Sequence, residues 1–189
     1  MTRTRELEDV LGGPPEEAAP LLLGNHLVSR VDGHEVRVEI NEVEAYKGSE
    51  DPASHAYRGE TERNSSMFRN PGTLYVYRSY GIHHCANTAA GPEGIGWGIL
   101  IRGGAVLEGE TVAAHRRGRV AGLADGPGKL CQALGITLEL NGTDLLDPAS
   151  VVYLDEGTRP EVVMATPRIG ISKARDLPWR FVSATQLSA

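Results

Sequence analysis

Between Val36 and Asn41 the apolar residues fall at every second position: Val36, Val38 and Ile40 alternate with Arg37, Glu39 and Asn41. That period puts successive side chains on opposite faces of a strand. Asp32-Gly33 interrupts the run with the residue types a tight hairpin turn requires. The segment LVSRVDGHEVRVEINEVEAY therefore predicts two antiparallel strands. Val43 departs from the alternation, which predicts a bulge or bend near Glu42. A sheet with one apolar face needs a core to lie on. The rest of the chain mixes strand and helix patterns without a regular βα alternation. The expected fold class is thus α+β, with a mainly antiparallel sheet and short helices, rather than a doubly wound α/β fold.

A second hairpin is expected from LYVY, opened by Pro71-Gly72, and IHHCANT, with Arg78, Ser79, Tyr80 and Gly81 at the tip. WGILIRGG predicts a buried strand ending at Arg102. Two short helices are expected, one over 108–119 and one opened by Pro127 and stopped by Gly135. VVYL, EVVMA and RFVSA read as short strands. The first twenty residues are charged and punctuated by Gly12, Gly13, Pro14 and Pro15, so residues 1–20 read as a flexible tail and 21–189 as the domain. A short helix is expected from Pro15, with Glu16 and Glu17 at its positive end; Pro20 shortens, kinks or delays it, and Gly24 suits its close. Residues 47–71 carry few aliphatics and read as a long irregular segment, of the kind that is usually functional in a compact domain.

Composition narrows the function classes. A chain of 189 residues buries roughly 70% of its unfolded surface, so it needs neither disulfide nor metal to fold. Two cysteines, Cys85 and Cys131, exclude a disulfide framework, a four-thiolate cluster and a Cys₄ zinc site, and point to a reduced cytoplasmic setting. No apolar run approaches the ~18 residues of a membrane span, and the N-terminus lacks the apolar core of a secretory signal. A net charge of −6 argues against a nonspecific nucleic-acid coat, though a local basic groove stays open. Only Lys47, Lys129 and Lys173 among the 19 basic residues are lysines. The arginines suit phosphate, but the same bias follows equally from nucleotide composition. Phosphate-loop, nucleophile-elbow, zinc-protease and zinc-deaminase motifs are all absent. His83, His84 and Cys85 are consecutive in a predicted strand and point alternately, so no metal site is expected there.

Five of the six tyrosines, Tyr46, Tyr57, Tyr75, Tyr77 and Tyr80, lie between positions 46 and 80. Core packing is the expected role of Tyr75. Tyr80 differs: a large ring at a hairpin tip is wasted on solvent unless it wedges between bases.

The strings NEVEAYKGSEDPASHAYRG, TERNSSMFRNPGTLYVYRSYGIHHCANTAAG, ILIRGG and DGPGKLCQALGI resemble the alkyladenine (3-methyladenine) DNA glycosylase family, the mammalian-type enzymes and their bacterial relatives. The resemblance runs from about Leu22 to about Val182. It implies a single domain with a curved antiparallel sheet and a protruding β-hairpin that enters DNA. It implies a metal-free, cofactor-free monomer that removes damaged purines from double-stranded DNA and leaves an abasic site. Carried over residue by residue, it makes Glu44 the carboxylate that activates water and Arg102 the arginine that helps hold that water and a phosphate. Tyr46 and Tyr77 become the stacking walls of the base pocket, His55 a second pocket residue and Asn87 the guard against normal guanine. Tyr80 becomes the wedge. Arg63, Arg69, Arg78 and Lys129 are candidate phosphate contacts. The nearby Glu39 and Glu42 are read as plain strand carboxylates.

The chemistry is coherent. A stacked base hides its glycosidic bond, so the nucleotide must leave the helix, at a cost of a few kcal/mol. A cationic methylpurine stacks well on electron-rich rings, and a carboxylate both deprotonates water and stabilises an oxocarbenium-like sugar. Lys47 is the one amine near Glu44 in sequence, and the family pattern gives it no role. Four positions depart from the usual pattern: Glu62 in a DNA-facing loop, the polar tip Arg78-Ser79, and the small Ala86 near the pocket. Two rival readings are a catalytically weak damage-binding module and a hydrolase of free nucleosides.

Overall fold

The computed structural model describes residues 3–183. Eight strands form one sheet: β1 (His26–Ser29), β2 (Val36–Tyr46), β3 (Leu74–Ser79), β4 (His83–Ala90), β5 (Trp97–Glu108), β6 (Val152–Asp155), β7 (Val163–Thr166) and β8 (Arg180–Ser183). Every pairing is antiparallel, in the order β3-β4-β5-β2-β1-β6, and β8 pairs with both β2 and β7. The fold is α+β with a curled sheet, as expected. Of the RFVSA string, Ala184 lies outside the described residues.

The first hairpin forms as its alternation predicts, with Asp32 (φ 57°) and Gly33 (φ 74°) both in the left-handed region at the turn. β2 is long enough to change partners: its first half pairs with β1, its second half with β8, and β5 runs along its other edge. The bulge expected near Glu42 is present. Asn41 of β2 and Arg102 of β5 have no partner in the ladder. The effect is large, because side chains alternate with period two. Before the bulge Val36, Val38 and Ile40 face the core; after it Val43 and Ala45 do. Glu42, Glu44 and Tyr46 are thereby turned to the opposite face. β5 switches in the same way, with Ile99 and Ile101 in the core on one side of Arg102 and Val106 packing on it from the other. It runs on to Glu108 rather than ending at Arg102 as the sequence suggested, because the bulge lets the ladder continue past a buried charge.

Among the described residues four α-helices pack on the core: α1 (Arg3–Leu11), α2 (Pro15–Leu22), α3 (Glu110–Arg117) and α4 (Pro127–Leu134). The expectation of a flexible tail over residues 1–20 is overturned for the described part. Leu7, Leu11, Ala18, Ala19 and Leu22 are buried in the same core as the strands. The glycines and prolines that suggested a loose tail instead mark the break between two helices; Pro15 opens α2, and Pro20 is accommodated inside it. α4 begins at Pro127, ends at Gly135 (φ 72°) and buries Leu130, Cys131, Ala133 and Leu134. No helix among the described residues is long and apolar enough to cross a membrane.

Candidate active site

One row of cross-strand neighbours builds the floor of the site. Tyr75 faces Asn87, Asn87 faces Leu100, Leu100 faces Glu44, and Glu44 faces Arg180, so the row crosses β3, β4, β5, β2 and β8. Directly opposed residues share a face. Tyr77 and Cys85 form the next pair on the same face of β3 and β4. Above this floor lies a cavity of about 480 Å³ whose lining includes Tyr46, His55, Tyr77, Tyr80, Asn87 and Arg102.

Glu44 sits behind that lining. Its side chain is fully buried, and three donors surround it. The Tyr46 hydroxyl donates to Oε2 at 2.7 Å, the Ile169 amide donates to Oε1 at 2.8 Å, and Arg102 Nη1 stands 3.4 Å from Oε1. A carboxylate taken out of water needs such partners to offset its lost hydration. Arg102 is shared: its Nε donates to Glu42 Oε1 at 2.9 Å, and Arg180 donates to the same oxygen. Burial pushes the Glu42 carboxyl up, but the hydrogen bond from Arg180 and the charge of Arg102 outweigh it and hold it below the usual carboxylate range. Burial opposes the charge on Arg102; Glu44 and Glu42 more than restore it. Glu42, read from sequence as a plain strand carboxylate, is therefore buried between two arginines.

The aromatic groups keep their protons. Burial, then the charge of Glu44 and the hydrogen bond to it, push the Tyr46 phenol upward, so it remains a donor. Burial and the neighbouring Cys85 do the same for Tyr77, and burial pushes Tyr75 up to about 12. His55 Nδ1 lies 3.1 Å from the Tyr75 hydroxyl, and its ring meets Tyr77 edge-on at 4.5 Å. Burial, then the charge of Arg63, lower the His55 pKa from its ordinary 6.5. The irregular segment that carries His55 is tied by Asn64, whose side chain donates to the His55 and Gly59 carbonyls and accepts from the Thr61 amide. Asn87 donates to the Tyr75 carbonyl at 3.1 Å.

Tyr80 stands at the tip of the second hairpin, 90% exposed. It and Gly81 take up left-handed backbone (φ 50° and 73°), which closes the turn and drives the ring outward. The other basic candidates are dispersed. Arg63 is exposed near His55 and Tyr75. Arg78 is exposed opposite His84 and alternates away from Tyr77. Lys129 is paired with Asp125 at 2.9 Å. Arg69 lies in a separate hollow with Glu8, Glu93 and Asp144, outside the cavity. Lys47 pairs with Glu16 and sits 5.5 Å over the Trp97 ring, also outside the cavity.

Sequence reasoning missed the segment after β7. Ile169, Gly170, Ile171, Ser172 and Lys173 line the cavity. Arg168, one residue earlier, is buried in a bidentate pair with Asp51, with Nη2 to Oδ1 at 2.9 Å, and Nη1 also donates to the Ala45 carbonyl. Its guanidinium lies 4.7 Å from the Tyr46 ring centre. No local pattern marks Asp51 and Arg168 as partners, since they are 117 residues apart.

The arrangement can hold a flat group between aromatic rings with a shielded carboxylate beside it. Comparisons with known proteins agree with that chemistry. A protein of Mycobacterium tuberculosis (strain H37Rv) is 47% identical over 174 residues, covering 88% of this chain and 83% of its own. One of Rhodococcus jostii is 47% identical over 175 residues, covering 88% and 76%. One of Mycolicibacterium paratuberculosis is 46% identical over 184 residues, covering 93% and 87%. All three are provisionally named 3-methyladenine DNA glycosylases. The family model for methylpurine-DNA glycosylase matches residues 9–186, which takes in α2, the whole sheet and the cavity. With the match extending over nearly all of the chain, this protein belongs to the methylpurine-DNA glycosylase family.

Proposed function

We propose that the chain is a monofunctional DNA glycosylase that hydrolyses the N-glycosidic bond of alkylated or deaminated purines flipped out of duplex DNA, the opening step of base-excision repair. The observation that carries this reading is the meeting of Tyr46, His55, Tyr77, Asn87 and Arg102 around one cavity, with Glu44 directly behind them and Tyr80 at its rim.

Tyr80 enters the base stack and fills the gap left by the extruded nucleotide. The base lies against Tyr46 and Tyr77, both held as neutral, electron-rich phenols. Asn87, which lines the cavity and donates to the Tyr75 carbonyl, is the residue that excludes the amino group of normal guanine. His55, neutral by burial, offers a donor or acceptor to the base edge without adding a charge. Glu44 then acts at the sugar. Among the described residues Tyr46 is the one donor on Oε2, and a carboxylate oxygen accepts more than one hydrogen bond, so Glu44 can also receive a water, which Arg102, 3.4 Å from Oε1, helps to hold. Glu44 takes the proton of that water and stabilises the positive charge growing on the sugar as the base departs. A cationic methylpurine leaves without protonation; a deaminated base needs a donor and is the harder substrate. Lys47 is engaged with Glu16 and does not line the cavity, so it is not placed to form a covalent enzyme–sugar intermediate, and the reaction is read as direct hydrolysis. The protein acts as a monomer on the chromosome.

The test is single-turnover base release from short duplexes, each with one lesion, comparing wild type with Glu44→Gln. Loss of about 10²–10⁴-fold in release, the usual contribution of general-base catalysis, with lesion binding retained, supports the reading. Tight lesion binding without release by wild type identifies a damage-binding module instead. Equal release by both proteins removes Glu44 from the chemistry.

A further inference from the structure

The cavity is lined by two cations, Arg102 and Lys173. Arg102 is taken up by Glu42 and Glu44. Lys173 is exposed and has no ion pair among the described residues. Ser172, beside it, lines both this cavity and an adjoining polar hollow that also takes in Arg175. A second basic side chain thus continues from the cavity mouth along the protein surface.

The root of this loop is rigid. Arg168 is locked to Asp51 and to the Ala45 carbonyl, and the Ile169 amide is bonded to Glu44. Gly170 (φ 75°) and Ala174 (φ 48°) both sit in left-handed backbone and bracket the residues between them. Lys173 is therefore held at the mouth by a segment anchored on the same carboxylate that the proposed reaction uses. When a base fills the cavity, its own phosphodiesters must lie at the mouth. In a chain of net charge −6, general attraction to DNA is weak, and local cations have to supply the phosphate contacts.

We propose that Lys173, with the Ser172 hydroxyl, binds a backbone phosphate flanking the extruded nucleotide, and that Arg175 meets the next phosphate along the strand. The inference rests on the reading that the cavity takes a flipped nucleotide. It assigns phosphate binding to a loop far in sequence from the candidates Arg63, Arg69, Arg78 and Lys129, of which Lys129 is already paired.

The experiment is equilibrium binding of the full chain to a duplex containing a reduced abasic-site analogue, across a salt series, with wild type, Lys173→Gln, Lys173→Arg, Arg175→Gln and Arg159→Gln. Each phosphate contact contributes a slope of about −0.9 in log affinity against log salt. Lys173→Gln and Arg175→Gln are each expected to flatten the slope by about that amount. Lys173→Arg should keep it. Arg159→Gln, which removes one charge from a residue that runs beside Gly24 and does not line the cavity, should also keep it. A Lys173→Gln slope equal to that of wild type overturns the inference while leaving the glycosylase reading intact. Borohydride trapping of Lys173 on DNA overturns it too, by making that amine a nucleophile. Failure of wild type to prefer the lesion duplex refutes the glycosylase reading, and the phosphate clamp with it.

Discussion

Replacing Asp51 with alanine strands a guanidinium in the protein interior. The Arg168 and Asp51 side chains are both fully buried, so the lost carboxylate leaves the guanidinium without its charge partner. Arg168 keeps the Ala45 carbonyl and the faces of Tyr46 and Trp179. Its Nε has no partner even now. Removing one member of a buried pair costs about 3–5 kcal/mol, a large share of the ~5–15 kcal/mol that a domain has in total. For a chain of this size about 1 kcal/mol moves the melting temperature by ~2–4 °C, so a fall of roughly 6–20 °C is expected. Thermal melts followed by circular dichroism would measure it, and urea melts would give the free-energy loss, with an unchanged m-value marking a pure stability effect. The double variant Asp51→Leu/Arg168→Met removes both charges and should recover most of the loss, because desolvating the pair was itself expensive. A loss below about 1 kcal/mol in Asp51→Ala, or a double variant no more stable than the single one, would refute the account of this pair.

Two further predictions concern the pocket and the hairpin. The folded-state pKa of His55 lies below 6.5, so the unfolded chain takes up the proton first as pH falls. The stability contributed by neutral His55 is complete above about 6.5 and is lost as pH drops through the folded-state value. His55→Gln should therefore flatten the decline of stability on acidification, by up to ~1.4 kcal/mol per pH unit within that window; parallel profiles for both proteins would contradict the shift. Tyr80→Ala removes an exposed ring and should leave the melting temperature within about 2 °C of wild type. It should weaken lesion-duplex binding by ~5–150-fold, the equivalent of about 1–3 kcal/mol of stacking; unaltered binding would rule out a wedge.

Local pattern made much of this molecule legible. The alternation around Asp32-Gly33, the break at Gly81 and the Pro127–Gly135 frame each act within a few residues, and each element formed where its pattern placed it. The departure at Val43 located the bulge. The N-terminal helices were misread because Gly12, Gly13, Pro14 and Pro15 signal a break in the chain equally well between two packed helices and in a loose tail. Only the buried face of Leu7, Leu11, Ala18 and Leu22 separates the two cases.

The residue types of the site, Glu44, Tyr46, His55, Tyr77, Tyr80, Asn87 and Arg102, were visible in the chain because their chemistry is unusual there and their order matches a family pattern. What they do to one another was not. Burial decides that Glu44 is sealed behind Tyr46 and Arg102, that Glu42 joins Arg102 to Arg180, and that His55 is kept neutral. The pairing of Asp51 with Arg168 and the arrival of the 169–173 loop at the cavity bring together segments more than a hundred residues apart. Short-range propensity acts over a few residues and carries no information about which distant segments share a desolvated space. The amino-acid sequence alone determined the strands, the turns and the residue types of the candidate site. The tertiary structure decided which charges lost their water, and hence which groups hold one another in place.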